Sequence, residues 1–323
     1  MKLSGCIIIN PKKNIEMKVL IATEKPFSKV AVEGIQKIVE GAGYEFAKLE
    51  KYTSADQLLA AVADADALIV RSDKVTRDVV AAAKNLKIVV RAGAGFDNLD
   101  LAALSERKIV AMNTPGQNSN AVAELAICLM IYISRNQLTP GTGSELKGKT
   151  LGIQAYGNVG RLVANHAKGF GMNIMAYDPF VPAEAMEKEG VTVAKTLEDL
   201  YANSNFVSLH IPATEQTKGS IGYNLVSRMP KGGCLVNTAR KEVINEPELM
   251  KVLEEREDLK YIADVAPACI DELKAKFGNR VFATPKKMGA ETAEANVNAG
   301  LAAANQIVKF FTEGCTKFQV NKF

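Results

Sequence analysis

The sequence predicts an α/β protein of two domains, each a parallel sheet flanked by helices. Three observations carry that expectation. Short β-rich apolar runs alternate with helical patterns along the whole chain, the order that builds parallel sheets covered by helices. Its 323 residues suffice for two domains of ordinary size, each with its own core. Residues 150–178 read as strand, glycine turn, helix, strand and then an acidic residue, the order of a dinucleotide-binding βαβ unit.

In the first third, strands are expected at 18–22, 67–71, 87–91 and 109–112, with 44–49 as a further candidate, making one flavodoxin-like domain. Six more, at 150–155, 173–178, 206–210, 234–238, 261–265 and 281–284, make a Rossmann sheet that binds NAD. Two helical patterns stand outside this alternation. Residues 120–135, with Val122, Leu125, Ile127, Leu129, Met130 and Ile133, show no polar face, which predicts a helix buried all round, between domains or between subunits. Residues 291–312 carry Leu301, Ile307, Val308 and Phe311 and end near Gly314. At about 22 residues that helix reaches roughly 33 Å, enough to return the chain to the first domain. The tail T-K-F-Q-V-N-K-F is then expected to pack on the first sheet. Residues 139–144, T-P-G-T-G-S, read as a linker. The expected domains are 17–113 plus 295–323, which binds substrate, and 114–294, which binds nucleotide. Residues 1–16 read as an N-terminal extension, with Met17 as an alternative start.

The glycine turn is specific in its parts. Gly157 lets the backbone approach a pyrophosphate at the N-terminus of a helix beginning near Asn158, and Gly160 lets that helix pack close to the strand. Asp178 ends the second strand, where a carboxylate accepts from ribose hydroxyls and repels a 2′-phosphate, so NAD is favoured over NADP. The first glycine of the G-x-G-x-x-G pattern is replaced by Ala155, which fits the turn only at negative φ.

Bulk composition narrows the function further. Apolar content of 47% and charged content of 24% are those of a soluble globular enzyme. A net charge of +4, from 40 basic and 36 acidic residues, gives no basic face, so no nucleic-acid partner is expected. Five cysteines, at 6, 128, 234, 269 and 315, include no C-x-x-C pair and suit a reducing cytoplasm without a metal site. The longest apolar run, 125–133, is too short to cross a bilayer, and the N-terminus lacks an adequate signal core, so no membrane is expected.

Further motifs follow in fixed order: R-A-G-A-G-F-D-N (91–98), N-T-P-G-Q-N-S-N-A-V-A-E-L-A (113–126), H-I-P-A-T-E-Q-T (210–217), N-T-A-R-K-E-V-I (237–244), D-V-A-P and T-P-K-K-M-G-A-E-T. Together they resemble the D-isomer-specific 2-hydroxyacid dehydrogenases over almost the whole chain from Met17. The V-R-S-D-K-V-T run (70–76) is most similar to the branch that oxidises D-3-phosphoglycerate to 3-phosphohydroxypyruvate, the entry to serine synthesis, here without the regulatory domain that longer members append. The resemblance implies a homodimer and a substrate that is a phosphorylated 2-hydroxy acid. It makes Arg240 the clamp on the substrate carboxylate and carbonyl, assisted by backbone N–H groups of Ala92, Gly93 and Ala94. Arg71, Ser72, Lys74 and Arg91 would hold the phosphate. The NAD contacts it implies are Ala94, Gly157, Asn158, Val159, Gly160, Asp178, His210, Ile211, Pro212, Thr217, Thr238, Ala239, Arg240, Asp264 and Gly289.

One departure stands out against this background. The family's acid/base histidine and its glutamate, in D-V-F-x-x-E-P and T-P-H-x-G segments, are both missing. Of the two histidines, His210 is expected to shape the cofactor loop and His166 to lie satisfied or solvent-facing on the helix after the glycine turn. Cys269 stands where the glutamate would be. The alignment puts Lys287 at the histidine's position, with Lys286 as an insertion and the nearest rival. A lysine, with an ordinary pKa of about 10.4, becomes a base near neutrality only if burial or a nearby cation such as Arg240 lowers it. A glutamate partner would push it the other way, so losing both residues is coherent. The sequence leaves two other readings open: a glyoxylate or hydroxypyruvate reductase, and an NAD-binding protein without catalysis.

Overall fold

A computed structural model describes residues 17–323; the expected extension at 1–16 and the alternative start that would remove it lie outside the described residues. The chain divides into two compact units. One takes in the chain up to Gln117 and again Asn296–Phe323; the other is Asn118–Ala295.

The first unit holds five parallel strands: β1 (Lys18–Thr23), β2 (Glu45–Glu50), β3 (Ala67–Val70), β4 (Ile88–Arg91) and β5 (Val110–Asn113). Their order, β2-β1-β3-β4-β5, is the flavodoxin-like one, with the topological switch point between β1 and β3. β3 and β5 are buried along their whole length because helices cover both faces, which is why β3 and all of β5 before Asn113 read as apolar runs. The C-terminal segment completes this unit. Helix Ala293–Glu313 lays Ala299, Ala303, Ala304 and Ile307 on the face formed by Val19, Ile21, Ile69 and Val90. Its approach to helix Lys29–Gly41 is close: a Cβ on Gly34 would lie 2.5 Å from Leu301 Cδ2.

The tail then straps the edge at β5. Val320 N donates to Ala111 O (2.8 Å), Ala111 N donates to Asn321 Oδ1 (2.9 Å), and Asn321 Nδ2 donates to Ile109 O (2.9 Å) and Ser105 Oγ (3.1 Å). Asn321 is buried, so Asn321→Ala strands one strand amide and one carbonyl away from water. The expected loss is about 2–3 kcal/mol, read as a lower midpoint in urea unfolding; an unchanged midpoint would show the strap to be ornamental.

The second unit is one seven-stranded parallel sheet. Its strands are β6 (Thr150–Gln154), β7 (Asn173–Tyr177), β8 (Thr192–Val193), β9 (Phe206–Leu209), β10 (Cys234–Asn237), β11 (Lys260–Ala263) and β12 (Val281–Ala283). The order β12-β11-β10-β9-β6-β7-β8 is the doubly wound one, with the switch point between β6 and β9. Apolar clusters cover both faces.

Three expectations need correction. The sheet has seven strands rather than six, because β8 is two residues long and too short to show a pattern. Helix Ser119–Ser134 is not buried all round: Asn120, Glu124 and Cys128, four residues apart, form an exposed stripe, while Ala123, Ala126, Ile127, Met130 and Ile133 pack inward. Glu124 is the only charged residue of that stripe and Cys128 is not polar enough to mark it, so the polar face was too narrow to stand out among the apolar residues around it. Finally, residues 139–144 lie inside the second unit, and the chain passes from the first unit to the second after Gln117.

Candidate active site

The nucleotide turn rests on β6 and the helix Asn158–Gly169 that follows it. Gly157 is the N-cap of this helix and no side chain caps it, so the first backbone N–H groups have no intrahelical acceptor. A Cβ on Gly157 would meet nothing within 4 Å, which leaves open space at those N–H groups. A Cβ on Gly160 would lie 2.3 Å from Ala155 O and 3.0 Å from Ile153 Cγ2, so only glycine lets the helix come this close to β6. An uncapped helix N-terminus with room before it fits a pyrophosphate.

Ala155 overturns the expected negative φ: it sits at φ 77°. Left-handed backbone costs a non-glycine residue roughly 1–2 kcal/mol. Hydrogen bonds on both sides hold it there. Ala155 N donates to Tyr177 O (2.9 Å) and Tyr156 N to Asp178 Oδ2 (2.7 Å). Asp178 Oδ1 accepts from Phe180 N (2.8 Å), so this carboxylate ties the turn to the end of β7 and keeps lone pairs for ribose hydroxyls.

The neighbouring strands end in polar atoms that have no partner. His210, just past β9, donates its N–H to Gln154 O (3.0 Å); its ring is half-buried with Nε2 enclosed and unpartnered, and burial lowers its pKa to about 3, so it is neutral. Thr238 Oγ1, just past β10, is likewise buried and unpartnered. Enclosed polar atoms almost always find partners, and a bound polar ligand would supply them here. Downstream of Ile211 and Pro212, Thr217 Oγ1 donates to Pro212 O (2.5 Å) and serves its own loop. His166 Nε2 lies 3.1 Å from Asn120 Oδ1.

Arg240 follows the turn after β10, half-buried, with Nη1 donating to Ala239 O (2.9 Å). Asn237, fully buried, shapes that turn: its Oδ1 accepts from Ala239 N (3.0 Å) and its Nδ2 donates to Arg240 O (2.9 Å). Lys286 and Lys287 lie in the loop after β12, and both are exposed, so the burial expected to depress Lys287 is absent from the chain itself. What is buried is the carboxylate that holds their loop. Asp264, just past β11 and 1% exposed, accepts from Met288 N (2.7 Å) on Oδ1 and Gly289 N (2.8 Å) on Oδ2, and Thr284 Oγ1 lies 3.0 Å from Oδ1. Asp264, expected as a nicotinamide contact, thus anchors the lysine loop. The Glu246 carboxylate beside Cys269 accepts from Ala268 N (2.8 Å) and Cys269 N (3.0 Å); burial and that carboxylate push the Cys269 thiol up to about 12.

The remaining expected substrate residues lie on the first unit, past β3 and β4. Arg71 Nη1 donates to Lys25 O (3.2 Å) and Pro26 O (3.1 Å), its Nη2 to Asn296 Oδ1, and its guanidinium lies 5.3 Å from the Phe27 ring centre. These partners are neutral oxygens, and among the described residues no carboxylate forms an ion pair with Arg71. Arg91 Nε donates to Arg71 O (3.0 Å), and its guanidinium lies over Gly93, where a Cβ would come within 2.0 Å of Nη1. Ala92 is buried, and Ala94 O accepts from Asn113 Nδ2 (2.6 Å). Three residues that the sequence reading missed hold these loops. Buried Asp73, between Ser72 and Lys74, accepts from Glu24 N (2.6 Å) and Tyr52 OH (2.8 Å). Asn98 Nδ2 donates to Arg71 O and Asp73 O (3.3 and 2.6 Å), and Asn113 pins Ala94. Each is an Asx residue inside a quoted motif, but the partners named here lie 19 to 49 residues away in sequence, so the motif alone did not reveal these contacts.

Among the described residues no group of three His, Cys, Asp or Glu could hold a metal ion, and no helix is long and apolar enough to cross a membrane. Comparison with known proteins gives one answer from three directions. The profile of the D-isomer specific 2-hydroxyacid dehydrogenase, NAD binding domain, matches residues 132–285. A D-3-phosphoglycerate dehydrogenase of Methanocaldococcus jannaschii is 38% identical over 79% of this chain, although the chain spans only 51% of that relative's length. A hydroxypyruvate reductase of Thermotoga maritima is also 38% identical, over 80% of this chain and 89% of its own. An NAD+-bound 3-phosphoglycerate dehydrogenase of Entamoeba histolytica superposes with a TM-score of 0.85 at 50% identity, covering 95% of this chain and 99% of that one. With the glycine turn, Asp178, the N-T-A-R turn after β10 and both sheets in their places, the chain belongs to the D-isomer specific 2-hydroxyacid dehydrogenases.

Proposed function

We propose that this chain oxidises D-3-phosphoglycerate to 3-phosphohydroxypyruvate with NAD, as a step towards serine. The observation that carries the substrate is the pair Arg71 and Arg91 at the carboxyl ends of β3 and β4, beside the β1/β3 switch point, with no carboxylate among the described residues ion-paired to Arg71. A 2-hydroxy acid with a second anionic group calls for such a pair. The name of the Entamoeba histolytica relative supports the same substrate.

In this reading Arg240 holds the substrate carboxylate through its planar fork and polarises the oxygen that becomes the carbonyl. Lys287 Nζ, unprotonated, takes the hydroxyl proton. Desolvation by the bound reactants and the charge of Arg240 would lower the pKa of that amine below its free value, so that the unprotonated share grows as pH rises above neutrality. The hydrogen on C2 leaves with its electron pair, and the C–O single bond becomes C=O. NAD, when bound, supplies the acceptor for that hydride. Gly157, the helix after it and Asp178 orient the nucleotide, and Asp264 fixes the loop that carries Lys287.

The test is NADH formation with D-3-phosphoglycerate and D-glycerate, and NADH consumption with hydroxypyruvate and glyoxylate. The expected kcat/KM for the phosphorylated acid exceeds that for D-glycerate by about 100-fold, the worth of two charge-assisted contacts, and Arg71→Ala collapses the ratio. The Thermotoga maritima relative favours a second reading, hydroxypyruvate reductase. Faster turnover of hydroxypyruvate than of phosphoglycerate would replace the first reading by it. NAD binding with no absorbance change on any of the four acids would leave a non-catalytic binder.

A further inference from the structure

The edge of the second sheet opposite the glycine turn gathers three lysines. Lys149 directly precedes β6, Lys231 lies in the turn before β10 and Lys260 opens β11. Because β11, β10, β9 and β6 are adjacent and parallel, their starting ends share one edge. A cavity of about 40 Å³ lies there, lined by the three lysines together with Ser134 and Asn205. At roughly 10–15 Å³ per water it has room for about three waters, the space of a tetrahedral oxyanion.

Charge at this edge is one-sided. Among the described residues none of the three lysines forms an ion pair with a carboxylate; Lys149 donates to the carbonyl of Glu145. Asp258, which accepts from Gly232 N (2.8 Å), is already neutralised by Arg256, whose Nε and Nη2 reach its two oxygens at 2.8 Å each and hold its carboxyl well below the usual range. Ser134 lines the same cavity, is 4% exposed, and its Oγ has no hydrogen-bond partner. It ends the helix Ser119–Ser134, whose C-terminus carries about half a negative charge, far less than three ammonium groups.

We propose that this edge binds a small tetrahedral oxyanion, either free phosphate or the phosphoryl end of a phosphomonoester, in a site separate from the nucleotide turn. The lysines supply the charge and Ser134 Oγ donates the hydrogen bond that it otherwise lacks.

Calorimetric titration of the full chain with inorganic phosphate at constant ionic strength tests the assignment. The expected result is saturable binding that weakens at least tenfold in Lys231→Met/Lys260→Met and in Ser134→Val, and that persists in Arg71→Ala with NAD affinity unchanged. Glycerol 2-phosphate competing for the same sites identifies a phosphomonoester ligand; failure to compete identifies the free ion. Phosphate affinity unchanged in the double variant overturns the proposal, as does an equal response to chloride. A lower melting temperature in the double variant with phosphate affinity intact also overturns it, since the lysines would then serve only the helix carbonyls. Should the double variant not fold, Ser134→Val decides on the same criterion.

Discussion

Lys287→Ala is expected to lower kcat by about 100- to 10,000-fold, the range over which a positioned general base acts, while NAD affinity stays within about twofold. The fold has little to lose from the change. Lys287 is exposed, and the backbone amides of Met288 and Gly289 hold its loop on Asp264. Only the unprotonated amine can accept the hydroxyl proton, so the wild-type rate rises with pH up to the pKa of the lysine in the complex and then levels. Lys287→Ala removes that limb. Lys286→Ala leaves both rate and limb nearly intact. Steady-state NADH formation from about pH 7 to about pH 10 measures all three proteins; wild-type turnover by Lys287→Ala across that range, or transfer of the whole loss to Lys286→Ala, would end the assignment.

The two glycines of the turn separate stability from cofactor binding. A Cβ at position 160 runs into the carbonyl oxygen of Ala155 at 2.3 Å, and backbone cannot rotate away as a side chain can. Ala155 already sits in the left-handed region, so the turn has little slack with which to yield. Gly160→Ala should therefore cost about 2–3 kcal/mol of stability and weaken NAD by at least about tenfold as the helix moves off β6. A Cβ at position 157 meets nothing in the chain. Gly157→Ala should leave stability within about 0.5 kcal/mol, so that its whole effect falls on NAD affinity. Thermal unfolding beside a fluorescence titration with NAD reads both quantities, and equal losses of stability in the two variants would refute this division.

Most of the fold was legible because its signals are local and strong. Buried parallel strands are mostly apolar: β3 is so throughout, while β5, β9 and β10 are buried along their length with one polar residue each, Asn113, Ser208 and Asn237. The expected strands ran one or two residues too far at their carboxyl ends, taking in Ala155, Asp178, His210, Thr238 and Asp264. Those are the positions where the chain leaves the sheet and where ligands of open α/β sheets bind, so the overrun falls on the candidate site itself. What stayed hidden depends on partners distant in sequence. The φ of Ala155 is set by Tyr177 and Asp178, and the anchoring role of Asp264 by a loop more than twenty residues downstream. Arg71 was read as a phosphate ligand from its motif, and its bonds to Lys25 and Pro26 could not be read from that motif.

The segment Asn296–Phe323 that finishes the first unit has a consequence for synthesis on the ribosome. The second unit is continuous and has all its strands once residue 295 has emerged. The first unit's sheet is made earlier, yet the face formed by Val19, Ile21, Ile69 and Val90 keeps part of its covering helix in the uncompleted chain. At 5–20 residues per second, translating the intervening stretch of roughly 180 residues leaves that face uncovered for on the order of ten to forty seconds. During translation the aggregation-exposed part of this protein is thus its N-terminal sheet, and a nascent-chain chaperone would be needed there first.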